Sequence, residues 1–195
     1  MREKRKIAFF GGSFDPFHIG HLEMAIAAAD QLHLDKVYFV PARSNPLKRE
    51  GPRATAEQRL EMLRLGIAGH DRFGIWEGEL SREGPSYTLH SIQHIERVYP
   101  NSHLFWLIGS DQLEHLGQWR EIDKLVQKIG FILVQRPNYD LIWPGIPGLN
   151  LYPVANPLHM ISSTEIRSRV QKHKPLHGML SGSVEAYIRL NRIYA

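Results

Sequence analysis

The sequence predicts an α/β fold: a doubly wound parallel sheet with a small helical C-terminal extension. Three observations predict it. Short runs rich in β-branched and aromatic residues alternate with stretches of helical spacing along the chain. A glycine-rich turn, Gly11-Gly12-Ser13, joins the first such run to the first helical stretch, the geometry in which open α/β sheets hold phosphates. A proline-rich loop follows the second strand, on the side where such sheets bind ligands.

The elements follow in order. Ile7-Ala8-Phe9-Phe10 reads as a short buried strand, and Leu22 to Ala29 as a helix of strong formers. Asp35 to Pro41 is a second strand, closed by proline. Thr55 with Gln58 forms a capping box for a helix that places Leu60, Leu63 and Ile67 on one face. Arg72 to Trp76 is a third strand, and Glu79 to Thr88 a turn-rich connector. Leu89, Ile92, Ile95 and Val98 stand at helical spacing, so a third helix runs from Thr88 to Val98. Ser102 to Ile108 is a buried strand ended by Gly109-Ser110-Asp111, and a short helical stretch continues through Trp119 and Leu125. Gly130 to Val134 is a fifth strand, and Leu149 to Val154 a short sixth after a loop rich in proline, glycine and asparagine. Ile161 to Arg167 enters a short helix with a serine or threonine N-cap. A final helix, Val184 to Leu190, packs through Val184, Tyr187 and Ile188.

At 195 residues the chain makes a single domain, 1–195, whose helical C-terminal part begins near residue 160. With no cysteine, thiol catalysis, disulfides and cysteine metal sites are excluded. The charged start, Met1 to Lys6, is followed by too few apolar residues for a signal peptide, and no apolar run approaches the roughly 20 residues of a membrane span. A soluble, cytoplasmic protein is expected. The net charge of +4 is spread out, with no dense basic run interleaved with aromatics. A nucleic-acid partner is therefore not expected, whereas a small polyphosphate suits the charge. A homo-oligomer is left open.

Phosphates must be held without the usual loops. The chain has no Gly-x-x-x-x-Gly-Lys-Ser/Thr, no Gly-x-Gly-x-x-Gly after a strand and no Gly-x-Ser-x-Gly elbow. His18 and His21 stand three residues apart where the first helix begins, so both imidazoles share one face. Phosphate contact is the favoured reading over a zinc pair, for which two ligands are too few. Gly20 between them lets a substrate approach the backbone closely. Ser162, Ser163, Thr164 and Arg167 combine hydroxyls, helix-start N–H groups and a guanidinium, an anion site or an ordinary cap. Asp111 stands where a carboxylate meets ribose hydroxyls or caps the next helix. Trp119 offers a flat face to a ring or belongs to the core. Asp15 caps or orients the turn, and Lys48 lies in the loop after the second strand.

Gly11-Gly12-Ser13-Phe14-Asp15-Pro16-Phe17-His18-Ile19-Gly20-His21 closely resembles the GG-T/S-FDP-x-H-x-GH motif of the HxGH nucleotidyltransferase superfamily, and Ile161 to Arg167 resembles its ISST-x-IR signature. Gly84-Pro85-Ser86-Tyr87-Thr88, Ile108 to Asp111 with Trp119, Asn45 to Lys48, and Val184 with Tyr187-Ile188 and Ile193-Tyr194 are similar to segments of the bacterial nicotinate-nucleotide adenylyltransferase family. Leu47 departs from a common histidine, and Ser110 from a common glycine.

The resemblance implies a Rossmann-like fold and transfer of the adenylyl group of ATP to nicotinate mononucleotide, giving deamido-NAD and pyrophosphate, with Mg²⁺ carried on the ATP phosphates. It implies catalytic roles for His18, His21, Lys48 and Arg167. ATP would be met by Gly11, Gly12, Ser13, Phe14, His18, Gly20, His21, Gly109, Asp111, Ile161, Ser162, Ser163, Thr164 and Arg167. The mononucleotide would be met by Ser13, Asp15, Lys48, Tyr87, Thr88, Trp119 and Arg136. Competing readings are an adenylyltransferase for nicotinamide mononucleotide or phosphopantetheine, a cytidylyltransferase, and a nucleotide-binding module without turnover. Neither nicotinamide discrimination nor oligomeric state is legible in the residues.

Overall fold

A computed structural model describes residues 4–44, 50–136, 139, 142–156 and 160–195. Its sheet has six strands among these residues: β1 (Arg5–Gly12), β2 (Lys36–Pro41), β3 (Phe73–Ile75), β4 (Ser102–Gly109), β5 (Gly130–Val134) and β6 (Leu151–Val154). They lie in the order β3-β2-β1-β4-β5-β6, and every pairing is parallel. The doubly wound fold expected from the alternation of elements is the one observed. The order reverses between β1 and β4, which opens a crevice at the carboxyl ends of these two strands.

Side-chain alternation along the strands builds a core on each face. Ala8 and Phe10 of β1 join one core with α1 (Ile19–Gln31), α2 (Ala56–Gly66), α5 (Ser163–Gln171) and α6 (Gly182–Leu190). Ile7 and Phe9 join the other with α3 (Thr88–Val98), a 3-10 helix (Ser110–Gln118) and α4 (Ile122–Leu125). The single helical stretch expected through Trp119 is thus two pieces, and Trp119 sits between them in extended backbone. The Thr55–Gln58 capping box forms as expected. The buried face of α2 is centred on Met62, Leu63 and Gly66, with Leu60 and Ile67 only half-buried.

Several helices end without the glycine that usually permits a left-handed residue. His33, His173 and Arg192 take φ values of 52°, 51° and 49° after α1, α5 and α6. In each, the next N–H reaches back to a carbonyl of the last turn: Leu34 to Ala29, Lys174 to Arg169 and Ile193 to Ile188. The last of these turns sends Ile193 and Tyr194 back beneath β1, where both are buried.

Candidate active site

A cavity of about 640 Å³ opens at the carboxyl ends of β1 and β4. Its wall takes Gly11 and Gly12 from β1, Ser13, Phe14 and Asp15 from the following turn, and His18 and His21 from the start of α1. Tyr87 and Thr88 come from the start of α3, Asp111 and Trp119 from beyond β4, and Arg136 from beyond β5. Ser162, Ser163, Thr164 and Arg167 close it from α5. Residues far apart in sequence therefore meet because strand ends and helix starts converge on one crevice.

His18 is the N-cap of α1 and His21 its third residue. Each Nδ1 accepts the other's backbone N–H, at 3.3 and 3.4 Å, and the rings stack with centroids 3.6 Å apart. An Nδ1 that accepts carries no proton, so a ring proton on either imidazole sits on Nε2. Burial first, and the nearby Arg136 charge second, pull the His18 imidazole down to about 3, which leaves it neutral at pH 7. A Cβ on Gly20 would come within 3.2 Å of His18 Nδ1, so the glycine makes room for the imidazole itself. Gly20 and Ile161 are not part of the cavity wall; Ile161 packs against the core beside α5.

Phe14 has φ 47°, a left-handed conformation costing roughly 1–2 kcal/mol for a non-glycine residue. It turns the ring into the core, edge-on to His21 with centroids 5.0 Å apart. Asp15, 4% exposed, accepts the N–H groups of Arg53 (2.8 Å) and Ala54 (3.0 Å) and the Tyr194 hydroxyl (2.7 Å). Its carboxylate is thus spent on orienting the turn. Arg59 braces the same turn: its buried guanidinium donates to the carbonyls of Ser13 and Ala42, both at 2.8 Å. On a sequence pattern Arg59 looks like one more polar helix residue, and nothing there foretold its burial.

On the α5 side Ser162 is the N-cap and accepts the Glu165 N–H. The Ser163 hydroxyl donates to the Pro16 carbonyl at 3.0 Å, and Arg167 donates to Thr164 Oγ1 at 3.2 Å. The first-turn N–H groups of a helix have no partner within it, so those of Ser163 and Thr164 are donors available to an anion. Beyond β4, Asp111 Oδ1 lies 3.4 Å from Arg136 Nε and accepts no hydrogen bond. Gly109 is not in the wall, yet a Cβ there would sit 2.3 Å from that same oxygen. Ser110 is fully buried and its hydroxyl accepts the Arg136 N–H at 2.8 Å, so it fixes the backbone of Arg136.

Trp119 is half-buried, with one edge against Phe131 at 6.2 Å between centroids and another side on the cavity. The Arg120 guanidinium lies 4.8 Å over the Tyr87 ring, a contact without a sequence signal. Beneath the Gly84–Thr88 connector, the buried Glu79 accepts the Ser91 hydroxyl, and burial pushes its carboxyl above the usual range. Lys48 and Leu47 lie outside the described residues. No group of three or more His, Asp or Glu able to hold a metal occurs among the described residues. Nor is any helix there long and apolar enough to cross a membrane.

A β-sheet crevice walled by capped imidazoles, helix-start N–H groups and guanidinium groups suits an anionic ligand such as a nucleotide, and comparison with known proteins shows the family. A profile of the cytidylyltransferase-like family matches residues 9–169, so the chain belongs to that family of nucleotidyltransferases. Within it, the chain belongs with the nicotinate-nucleotide adenylyltransferases. It is 40% identical over 190 residues to a probable nicotinate-nucleotide adenylyltransferase of Methylacidiphilum infernorum, covering 97% of this chain and 92% of the relative. It is 37% identical over 193 residues to the nicotinate-nucleotide adenylyltransferase of Bacillus subtilis, covering 97% and 98%. In fold it is similar to the Plasmodium falciparum nicotinic acid mononucleotide adenylyltransferase complexed with NaAD, with a TM-score of 0.80 at 21% identity and 97% of both chains covered.

Proposed function

We propose that the cavity binds ATP and nicotinate mononucleotide together and joins them into deamido-NAD, releasing pyrophosphate. The observation that carries the reading is the convergence of two kinds of group on one crevice. His18, His21, Ser163, Thr164 and Arg167, donors suited to a triphosphate, line the same cavity as Tyr87, Thr88 and Trp119, which offer ring faces and backbone groups to a second ligand. Of the two departures from common family residues, Ser110 bears on the site by fixing the backbone of Arg136.

The reaction is an in-line displacement. A 5′-phosphate oxygen of the mononucleotide forms a bond to the α-phosphorus as the bond to the β-phosphate oxygen breaks, and pyrophosphate leaves with that electron pair. A phosphate monoester is largely ionised near pH 7, so no general base is needed, in keeping with a neutral His18. Catalysis is then positioning together with stabilisation of charge on the transferred group. His18 and His21 donate from Nε2 to phosphate oxygens. Arg167 and the α5 N–H groups take the pyrophosphate end. Asp111 accepts from ribose hydroxyls, and Arg136 meets the mononucleotide phosphate. Trp119 stacks on the pyridine ring, and the backbone at Tyr87 and Thr88 faces its carboxylate.

The donor set fits magnesium that enters on the nucleotide rather than in a protein cage, because the described residues line the phosphate wall with N–H groups and cations. When bound, that ion neutralises triphosphate charge. A cytoplasmic location accompanies this reading, supported by the reaction's need for ATP.

A single-turnover assay tests the reading. Enzyme in excess over ATP should release pyrophosphate only once nicotinate mononucleotide is added. Binding of ATP without any pyrophosphate release would identify a nucleotide-binding module. Pyrophosphate release from ATP before the acceptor is added would instead point to a covalent adenylyl-enzyme.

A further inference from the structure

We infer that Tyr194 is a positioning residue for adenylyl transfer: its hydroxyl clamps the Asp15 carboxylate and, through Asp15, holds the Arg167 guanidinium at the triphosphate end of the cavity. The inference rests on the reading of that cavity given above.

Asp15 is a buried junction between four parts of the chain. Oδ1 accepts the Tyr194 hydroxyl at 2.7 Å and the Ala54 N–H at 3.0 Å; Oδ2 accepts the Arg53 N–H at 2.8 Å. Arg167 Nη1 lies 3.7 Å from Oδ2 and donates to the Asp15 main-chain carbonyl at 2.7 Å. With Nη2 on Thr164, Arg167 is held at both terminal nitrogens, while its buried Nε has no partner. The guanidinium plane is therefore set by Asp15 and Thr164 before any phosphate arrives.

Tyr194 reaches this junction at a conformational cost. Arg192 and Tyr194 take φ values of 49° and 69°, each roughly 1–2 kcal/mol unfavourable for a non-glycine residue. Ile193, between them, anchors in the core at 5% exposure. Packing an aromatic ring beside β1 does not require a hydroxyl, yet the hydroxyl is placed on a carboxylate oxygen inside the protein. Burial first, then the hydrogen bond to Asp15 and its charge, push the phenol's ionisation far above its usual range, so it is a donor near neutral pH. Without that donor the carboxylate keeps only the Arg53 and Ala54 N–H groups, so its negative charge is less compensated and pulls harder on Arg167, 3.7 Å away, drawing it out of register.

Tyr194→Phe tests this by steady-state kinetics with ATP and nicotinate mononucleotide, per active site titrated. The expected result is a kcat lowered about 10-fold with both KM values within about 2-fold, since a small misplacement acts on the transition state. In an Arg167→Ala background the same change should cost less than about 2-fold, because residues acting through one another are not additive. An unchanged kcat, or an equal loss in both backgrounds, would overturn the inference. If Tyr194→Phe yields no folded protein, Asp15→Asn carries the test: it keeps the shape and an acceptor but removes the charge that orients Arg167. It should show the same kcat loss and the same non-additivity with Arg167→Ala; a loss that multiplies with Arg167→Ala would overturn the inference. A wild-type enzyme inactive with these substrates would instead overturn the reading of the cavity.

Discussion

His18 and His21 cap each other: each imidazole Nδ1 accepts the other's backbone N–H, and the rings stack 3.6 Å apart at the first turn of α1. The bonds that start the helix thus also fix which ring nitrogens carry protons, so the site is oriented before a ligand enters. Asparagine at position 18 keeps an N-cap acceptor and loses the imidazole. His18→Asn should therefore lower kcat at least about 100-fold, the scale for losing a donor to developing charge, while melting close to wild type. His18→Ala should lose the cap as well, at a further cost of about 1 kcal/mol of stability. Steady-state rates and thermal melts check both, and near-normal turnover in His18→Asn would refute the phosphate role.

The same imidazole makes stability depend on pH. It is held down to about 3 in the fold but titrates near 6.5 in the unfolded chain. Between those values the unfolded state binds a proton that the folded state refuses. Its contribution is thus intact above about 6.5 and is lost as pH falls toward 3. Urea unfolding at pH 7.5 and pH 5 should show a drop in midpoint for wild type and a smaller drop for His18→Asn. Parallel drops would show that His18 is not the group responsible.

Trp119 sits between Phe131 and the cavity. Trp119→Ala should raise KM for the mononucleotide several-fold more than KM for ATP, as expected when a ring loses its stacking partner. Initial rates with each substrate varied in turn measure the difference. A larger effect on ATP would move the ring assignment to the other half of the site.

Gly109 leaves space for the Asp111 carboxylate, which an added Cβ would approach to 2.3 Å. Gly109→Ala should displace Asp111 and weaken ATP binding about 10-fold or more, read by titration calorimetry, with less effect on the mononucleotide. Unaltered ATP affinity would remove Asp111 from the nucleoside contact.

Elements set by local pattern were legible in the sequence, and features set by tertiary contact were not. The bounds of α3 and β5 agree with the spacing of Leu89, Ile92 and Ile95 and with the apolar run Phe131 to Val134. The Thr55–Gln58 box needed no tertiary knowledge. The members of the proposed phosphate wall were legible through their motifs, because strand-to-turn-to-helix chemistry is local. Arg59 was not, since its burial depends on carbonyls of Ser13 and Ala42 brought to it by the sheet. Tyr194 was visible only as a motif residue; its partner lies 179 positions away. The ends of α1 and α5 were obscured because histidine occupies the left-handed position usually marked by glycine, whereas the end of α6 at Leu190 agrees with the sequence reading. Ser110, in the sequence only a departure from a common glycine, is buried and holds the Arg136 N–H.

The most direct test of the account is pyrophosphate release by the wild-type enzyme with ATP and, in turn, nicotinate mononucleotide, nicotinamide mononucleotide and phosphopantetheine. Release should be rapid with nicotinate mononucleotide, matched by deamido-NAD, and much slower with the other two. Equal or faster release with either of the others, or none with nicotinate mononucleotide, would contradict it.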